Sequence, residues 1–216
     1  MEQQCELRDG MRIDWDVPIV MDDGAIVRAD VFRPAGEGHY PVILTYGPYG
    51  KGLSFQEGYP GQWNSMVGDH PEILECSTNK YQNWETVDPE KWVPDGYVCV
   101  RVDCRGAGRS PGYLDFFSPR EMRDFYLCIE WAGTRPWSNG KVGLLGISYY
   151  AMNQWQVAAL QPPVPVGRLP LGGSGRLVPG RHPSRRYRVH FLGDLVQGSG
   201  RKGPARGRRA GQPEHR

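Results

Sequence analysis

The sequence predicts an α/β protein: a mostly parallel sheet with flanking helices and an antiparallel ribbon at its N-terminal end. Three observations carry that expectation. Residues 41–46 (Pro-Val-Ile-Leu-Thr-Tyr) and 97–102 (Tyr-Val-Cys-Val-Arg-Val) are short unbroken apolar runs, the composition of strands covered on both faces. A third such run at 141–147 passes through one serine into a helical pattern. The order strand, strand, helix, strand, helix is that of parallel strands joined by crossovers.

Taken in order, residues 11–21 alternate enough (Ile13, Trp15, Val17, Ile19) for a strand, and Asp22-Asp23-Gly24 is a hairpin turn. Residues 26–32 alternate again and stop at Pro34, completing the ribbon. Between Gly50 and Asp95 lies a long segment without clean periodicity, rich in Tyr59, Trp63, Tyr81, Trp84 and Trp92. A segment of that length is functional or carries short helices of its own, so it reads as an insertion covering the site; packing alone would also explain its aromatics. Ser118-Pro119-Arg120-Glu121 is a helix start, with serine as N-cap, proline in the first helical position and glutamate placed to close a capping box. Met122, Phe125, Tyr126 and Ile129 continue it at helical spacing to about Ala132.

The net charge of +2 conceals a split. From Val164 onward there are eleven Arg and one Lys against Asp194 and Glu214, so residues 1–163 are net acidic and residues 164–216 strongly basic. The first part reads as the N-terminal portion of a catalytic domain. The second, rich in Arg, Gly and Pro, shows no period of either kind and cannot bury enough apolar area to offset about 1–2 kcal/mol of backbone entropy per residue, so it is expected to be disordered. Arg, Gly, Pro and Ala are also what GC-rich codons yield when read out of frame. A frameshift product is therefore the first reading of the tail, and a genuine basic arm the second.

No apolar stretch approaches the roughly 18 residues of a membrane span, and residues 1–9 hold no apolar signal region. The five cysteines (Cys5, Cys76, Cys99, Cys104, Cys128) lack any Cys-x-x-Cys spacing and read as reduced core residues. A cytoplasmic protein is the expectation, with neither a metal nor a cofactor.

The chemistry concentrates at residues 141–151, Lys-Val-Gly-Leu-Leu-Gly-Ile-Ser-Tyr-Tyr-Ala. A serine hydroxyl is a poor nucleophile in water. Held at the tip of a strained strand-to-helix turn, it is exposed above a helix N-terminus that favours developing negative charge. Ser148 occupies that place, with Gly146 small enough to let strand and helix approach and Ala151 doing the same from the helix. The alternative is that Ser148 simply caps a helix.

Two further loops are expected beside it, at the carboxyl ends of the parallel strands. An acyl-transfer site needs pre-aimed donors for an oxyanion. The backbone N–H of Tyr149 is one, and the hydroxyl of Tyr49, in Gly47-Pro48-Tyr49-Gly50-Lys51, is a candidate second; Tyr49 also reads as an ordinary turn tyrosine. The loop Asp103-Cys104-Arg105-Gly106-Ala107-Gly108-Arg109-Ser110-Pro111-Gly112 has the wrong spacing for a phosphate-binding loop. A structural role is expected, with Asp103 and Arg105 as an ion pair.

Together, Gly-Ile-Ser-Tyr-Tyr-Ala at 146–151, Asp-Cys-Arg-Gly-Ala-Gly-Arg-Ser-Pro-Gly at 103–112, Pro-Tyr-Gly-Lys at 48–51 and Arg-Pro-Trp-Ser-Asn-Gly-Lys-Val-Gly at 135–143 resemble the X-Pro dipeptidyl-peptidase and bacterial cocaine-esterase family of α/β-hydrolases. The likeness covers about residues 11–163. It implies an α/β-hydrolase-type sheet, Ser148 as nucleophile, Tyr49 and the Tyr149 amide as oxyanion hole, and cleavage of an ester, an amide or an N-terminal X-Pro dipeptide. In such enzymes the acid and base of the triad follow the serine by a long interval, and nothing past Pro163 is similar to that part.

Asp194 and His215 stand in the right chain order, and His182 and His190 are also present, but an Arg- and Gly-rich tail offers no scaffold to hold them. His39 and His70 precede the serine and read as surface or loop residues. The expectation is a sheet incomplete at its C-terminal side and a truncated, inactive serine hydrolase, its partner a small ester or amide or a peptide. Two other classes stay open: binding of nucleic acid or an acidic partner by the tail, against which stands the lack of aromatic interleaving among its arginines, and a ligand-binding pseudoenzyme.

Overall fold

A computed structural model of the protein describes residues 4–171. Strands β1 (Gln4–Arg8), β2 (Met11–Val20), β3 (Ile26–Pro34), β4 (Tyr40–Gly47), β5 (Val98–Asp103), β6 (Ser138–Ile147) and β7 (Val166–Leu171) form one mixed sheet in the order β1-β2-β3-β5-β4-β6-β7. The pairs β5–β4, β4–β6 and β6–β7 are parallel, and the first three strands join antiparallel through β3–β5. The expected ribbon is β2 and β3; β1, which sequence reasoning did not foresee, extends it by one strand.

Between β4 and β5 lie α1 (Phe55–Gly58), α2 (Pro60–Asp69), a 3₁₀ turn at Pro71–Leu74 and α3 (Pro89–Trp92). Two longer helices, α4 (Pro119–Gly133) and α5 (Tyr149–Ala159), lie against the parallel strands and each other. The α4 cap is as expected: the Ser118 Oγ accepts from the Glu121 N–H at 3.1 Å, with Pro119 in the first turn.

Both faces of the sheet are covered, which is why its central strands carry continuous apolar runs. On one face Val42, Leu44 and Tyr46 of β4 and Val98, Val100 and Val102 of β5 join Met122, Phe125 and Ile129 of α4. On the other, Ile43 and Cys99 join Tyr81, Val87, Val93 and Tyr97. The second half of the long insertion therefore packs against the sheet. Its first half packs on Trp84 of the second, with Phe55 against Trp63 and Trp84 at ring centroids 5.4 and 5.0 Å apart and Trp84 stacked on Tyr59 at 4.3 Å.

One irregularity decides which residues reach the site. The β2–β3 register slips between Asp14 and Val17, an extra residue that breaks the two-residue alternation. Met11 and Ile13 consequently face one core, while Val17 and Ile19, of the same parity, face the other. Asp16 sits in this bulge with φ of 52° and is swung toward the carboxyl ends of the parallel strands.

Two expectations are corrected. Cys99, Cys104 and Cys128 are buried but Cys5 and Cys76 are exposed, so the cysteines are core residues only in part; all five are free. Strand β7 lies past the expected boundary at 163 and pairs with β6 from Val142↔Val166 to Ile147↔Leu171. Its Val-Gly-Arg-Leu-Pro-Leu run shows little period because alternation is not required of a strand whose pairing is parallel. The expected disorder of the rest of the tail, with Asp194, His182, His190 and His215, falls outside the described residues.

Tyr46 is fully buried and stacked on Phe125 at 4.9 Å, yet its hydroxyl has no partner among the described residues. Tyr46→Phe removes an unsatisfied group at almost constant volume, so stability in urea is expected to stay equal or rise by about 1 kcal/mol. A loss of that size would reveal a hidden acceptor.

Candidate active site

The turn joining β6 to α5 holds Ser148 at φ 52° and ψ −112°, outside the regions an L-residue prefers. Ser148 is the N-cap residue of α5, but its side chain makes no capping hydrogen bond. A capping serine spends its oxygen on the helix, whereas this one is half-exposed and directly precedes Tyr149, whose ring packs edge-on against Tyr49. The bend closes because two glycines clear Tyr150. A Cβ on Gly146 would stand 2.2 Å from the Tyr150 Cβ, and one on Gly47 would stand 2.6 Å from its ring. Gly146→Ala is therefore expected to cost about 1–3 kcal/mol in denaturant melts, an overpacking cost the buried Tyr150 cannot relieve by turning away.

Tyr49 is half-buried, its ring edge-on to Tyr150 at 5.4 Å and to Tyr149 at 6.3 Å. Burial raises its phenol above the ordinary value, with Glu85 and Tyr59 adding to the effect and Ser148 opposing it, so the group stays protonated and remains a donor. Structure thus brings together Ser148, Tyr49 and the first residue of α5, Tyr149.

What holds Tyr49 in place was not visible in the sequence. Two residues on, the Lys51 ammonium is buried and pairs with Asp16 at 2.5 Å and Asp30 at 2.8 Å. Its backbone N–H donates to the Asp103 carboxylate at 2.6 Å, whose other oxygen accepts from the Arg109 N–H at 2.9 Å. Arg109 closes the ring by reaching Asp16. Gly108, at φ +48°, leaves room for this carboxylate: a Cβ there would stand 2.1 Å from the Asp103 Oδ2. Asp103 thus binds the loop through backbone amides, not by the ion pair with Arg105 that the sequence suggested. Arg105 instead pairs with Asp124 at 2.9 Å and Asp23 at 3.0 Å.

Glu121 is the second residue the sequence concealed. Its carboxylate does not close the capping box on Ser118. It accepts from the Phe117 N–H at 2.6 Å and from the Tyr149 hydroxyl at 2.6 and 2.7 Å, fastening the first turn of α5 to the start of α4. Burial raises its pKa, opposed by those donors, while burial and the same carboxylate push the Tyr149 phenol far above its usual value. On α5 itself the Asn153 amide donates to the Tyr46 carbonyl at 2.7 Å, tying the helix to β4.

Among the described residues the histidines are His39 and His70, both exposed. His70 is paired with Glu72 at 3.1 Å, and His39 lies in the loop before β4, at the far end of that strand from Ser148.

A mixed sheet wrapped by helices, with a left-handed serine turn at the carboxyl ends of its parallel strands, defines an α/β-hydrolase fold. Residues 23–171 match the X-Pro dipeptidyl-peptidase (S15 family) profile, and the chain belongs to that family. It is 28% identical over 180 residues to the cocaine esterase of Rhodococcus sp. (strain MB1 Bresler), a match covering 82% of this chain and 25% of that enzyme. The crystal structure of a CocE/NonD family hydrolase from Staphylococcus aureus superposes with a TM-score of 0.62 at 36% identity, over 73% of this chain and 27% of that one. An α-amino acid ester hydrolase, at 21% identity and a TM-score of 0.51, shares the fold. The match spans about a quarter of the length of these relatives.

Proposed function

We propose that Ser148 is the nucleophile of an acyl-transfer hydrolase acting on an ester or amide. Its oxygen would attack the carbonyl, the carbonyl oxygen would take negative charge beside the Tyr49 hydroxyl and the Tyr149 N–H, and the leaving group would depart from an acyl-enzyme. The observation carrying this is the serine's left-handed backbone combined with a hydroxyl that caps nothing, at the head of a helix whose Tyr149 and Tyr150 pack edge-on against Tyr49. Family membership supports the same reading. The small ester or peptide substrates of such hydrolases favour a substrate of that class.

The 216-residue chain is further proposed to be nearly inactive, because among the described residues the histidines are the exposed His39 and His70, neither of which is recorded in contact with Ser148. Loss of the triad base leaves only the contribution of the oxyanion donors, some three to four orders of magnitude above water. A fluorophosphonate probe followed by peptide mapping tests both statements. Slow labelling confined to Ser148, absent in Ser148→Ala and slower still in Tyr49→Phe, is expected. Labelling scattered over other serines would remove the nucleophile assignment, and complete labelling within seconds would remove the inactivity.

A further inference from the structure

A cleft of about 780 Å³ opens at the end of the sheet opposite Ser148, between the loop before β4, the middle of β2 and β3, and the end of α4. Its volume lies in the range of small-molecule sites. Its walls sit at the start of β4 and β6, whereas Ser148 and Tyr49 follow their ends, so the two places are about 20 Å apart at the rise of a β-strand.

Three guanidinium groups line this cleft. Arg33 is neutralised by Asp14 at 3.0 Å. The Arg12 side chain, by contrast, makes no hydrogen bond or ion pair among the described residues, and its Nε is shielded from water without an acceptor. Arg135 also lacks a carboxylate partner among the described residues. Its Nε donates to the Trp131 carbonyl at 3.1 Å and its guanidinium lies 5.1 Å from the Trp131 ring centre. Trp131 and Trp137 meet edge to face at 6.1 Å and form the apolar wall. The exposed His39 and Glu37 and the Tyr40 phenol also lie on the rim.

A guanidinium nitrogen shielded from water without an acceptor, as in Arg12, is costly until a ligand supplies one, and a half-exposed guanidinium without a carboxylate, as in Arg135, is open to an anion. We propose that this cleft is a binding site for a small organic anion, a carboxylate or phosphate on a flat aromatic body. Arg12 and Arg135 take the anionic group and the tryptophan pair receives the ring. An anion held by a guanidinium fork gains paired, charge-assisted hydrogen bonds, and an aromatic body adds the stacking that inorganic phosphate lacks. The site stands apart from the proposed hydrolytic chemistry and does not depend on it.

Calorimetric titration of the full chain with benzoate and phenyl phosphate tests this, with inorganic phosphate and benzyl alcohol as anion-only and ring-only arms. One saturable site with a Kd below about 1 mM is expected for the first two, with each control at least about tenfold weaker. Arg12→Gln and Arg135→Gln should each weaken binding about tenfold or more, as for a lost charged hydrogen bond, while Ser148→Ala leaves it unchanged. Thermal unfolding establishes that each variant is folded. If Arg12→Gln is not, Arg135→Gln and Arg12→Lys decide. The proposal is overturned by absence of saturable binding, by indifference to both arginine substitutions, by loss of binding in Ser148→Ala, or by inorganic phosphate binding as tightly as phenyl phosphate.

Discussion

Lys51→Met is expected to destabilise the protein by about 3–5 kcal/mol, the usual consequence of removing one partner from a buried charge cluster. The Lys51 side chain is 4% exposed and that of Asp30 is 2% exposed, so solvent cannot replace the missing ammonium. Asp30 already titrates above the ordinary carboxylate value, because burial outweighs the attraction of Lys51 and the hydrogen bond from the Asp16 N–H. For Asp16 burial also acts upward, but Lys51 and Arg109 together bring it below the ordinary value. Without Lys51, Asp30 rises further.

The sign of the pH effect follows. A carboxyl with a raised folded pKa holds its proton in the native state at pH values where the unfolded chain has lost it, so stability falls as pH rises. The Lys51→Met deficit should therefore shrink as pH is lowered toward the unfolded aspartate value of about 4. Urea melts at several pH values measure this. A deficit below about 1 kcal/mol, or one that grows on acidification, would mean the cluster is held by other contacts.

Glu121→Ala is the second large effect. It strands two donors, the half-buried Phe117 N–H and the buried Tyr149 hydroxyl, each costing about 1–3 kcal/mol when unsatisfied, for a total near 2–6 kcal/mol. Glu121→Gln keeps an acceptor for the amide and offers an N–H to the tyrosine oxygen, so it should recover most of that loss. Equal losses in the two variants would show that charge, not hydrogen bonding, is what this position supplies. The effect should also reach the elbow: released from α4, the first turn of α5 frays, and amide exchange at Tyr149 and Tyr150 should quicken in Glu121→Ala.

Much of this was legible in the chain. Strands β2 to β6 and helix α4 fell where alternation, apolar runs and the Ser-Pro-x-Glu start placed them, because these patterns follow from local periodicity and backbone hydrogen bonding. The serine turn was legible for the same reason, since glycine and serine spacing within one strand-turn-helix is a local property. Strand β1 was missed because Gln4–Arg8 has little apolar content and owes its conformation to pairing with β2. The insertion's role was only half legible: aromatic content marks a residue for burial but does not say against which surface.

The sequence alone therefore determined the α/β class, the order of the main elements and the serine turn, all of which depend on residues within a few positions of one another. Only the tertiary structure decided what surrounds that turn. Asp16, Asp30, Lys51, Asp103 and Arg109 are far apart along the chain, and a one-residue bulge at Asp16 makes them neighbours by turning a side chain onto a different face. Glu121 was read as a cap because its local spacing allowed it, yet burial beside Tyr149 offered its carboxylate a stronger donor than the helix end. Buried charges must find partners wherever the fold brings them, and that pairing is settled by three-dimensional proximity and desolvation, which no spacing along the chain encodes.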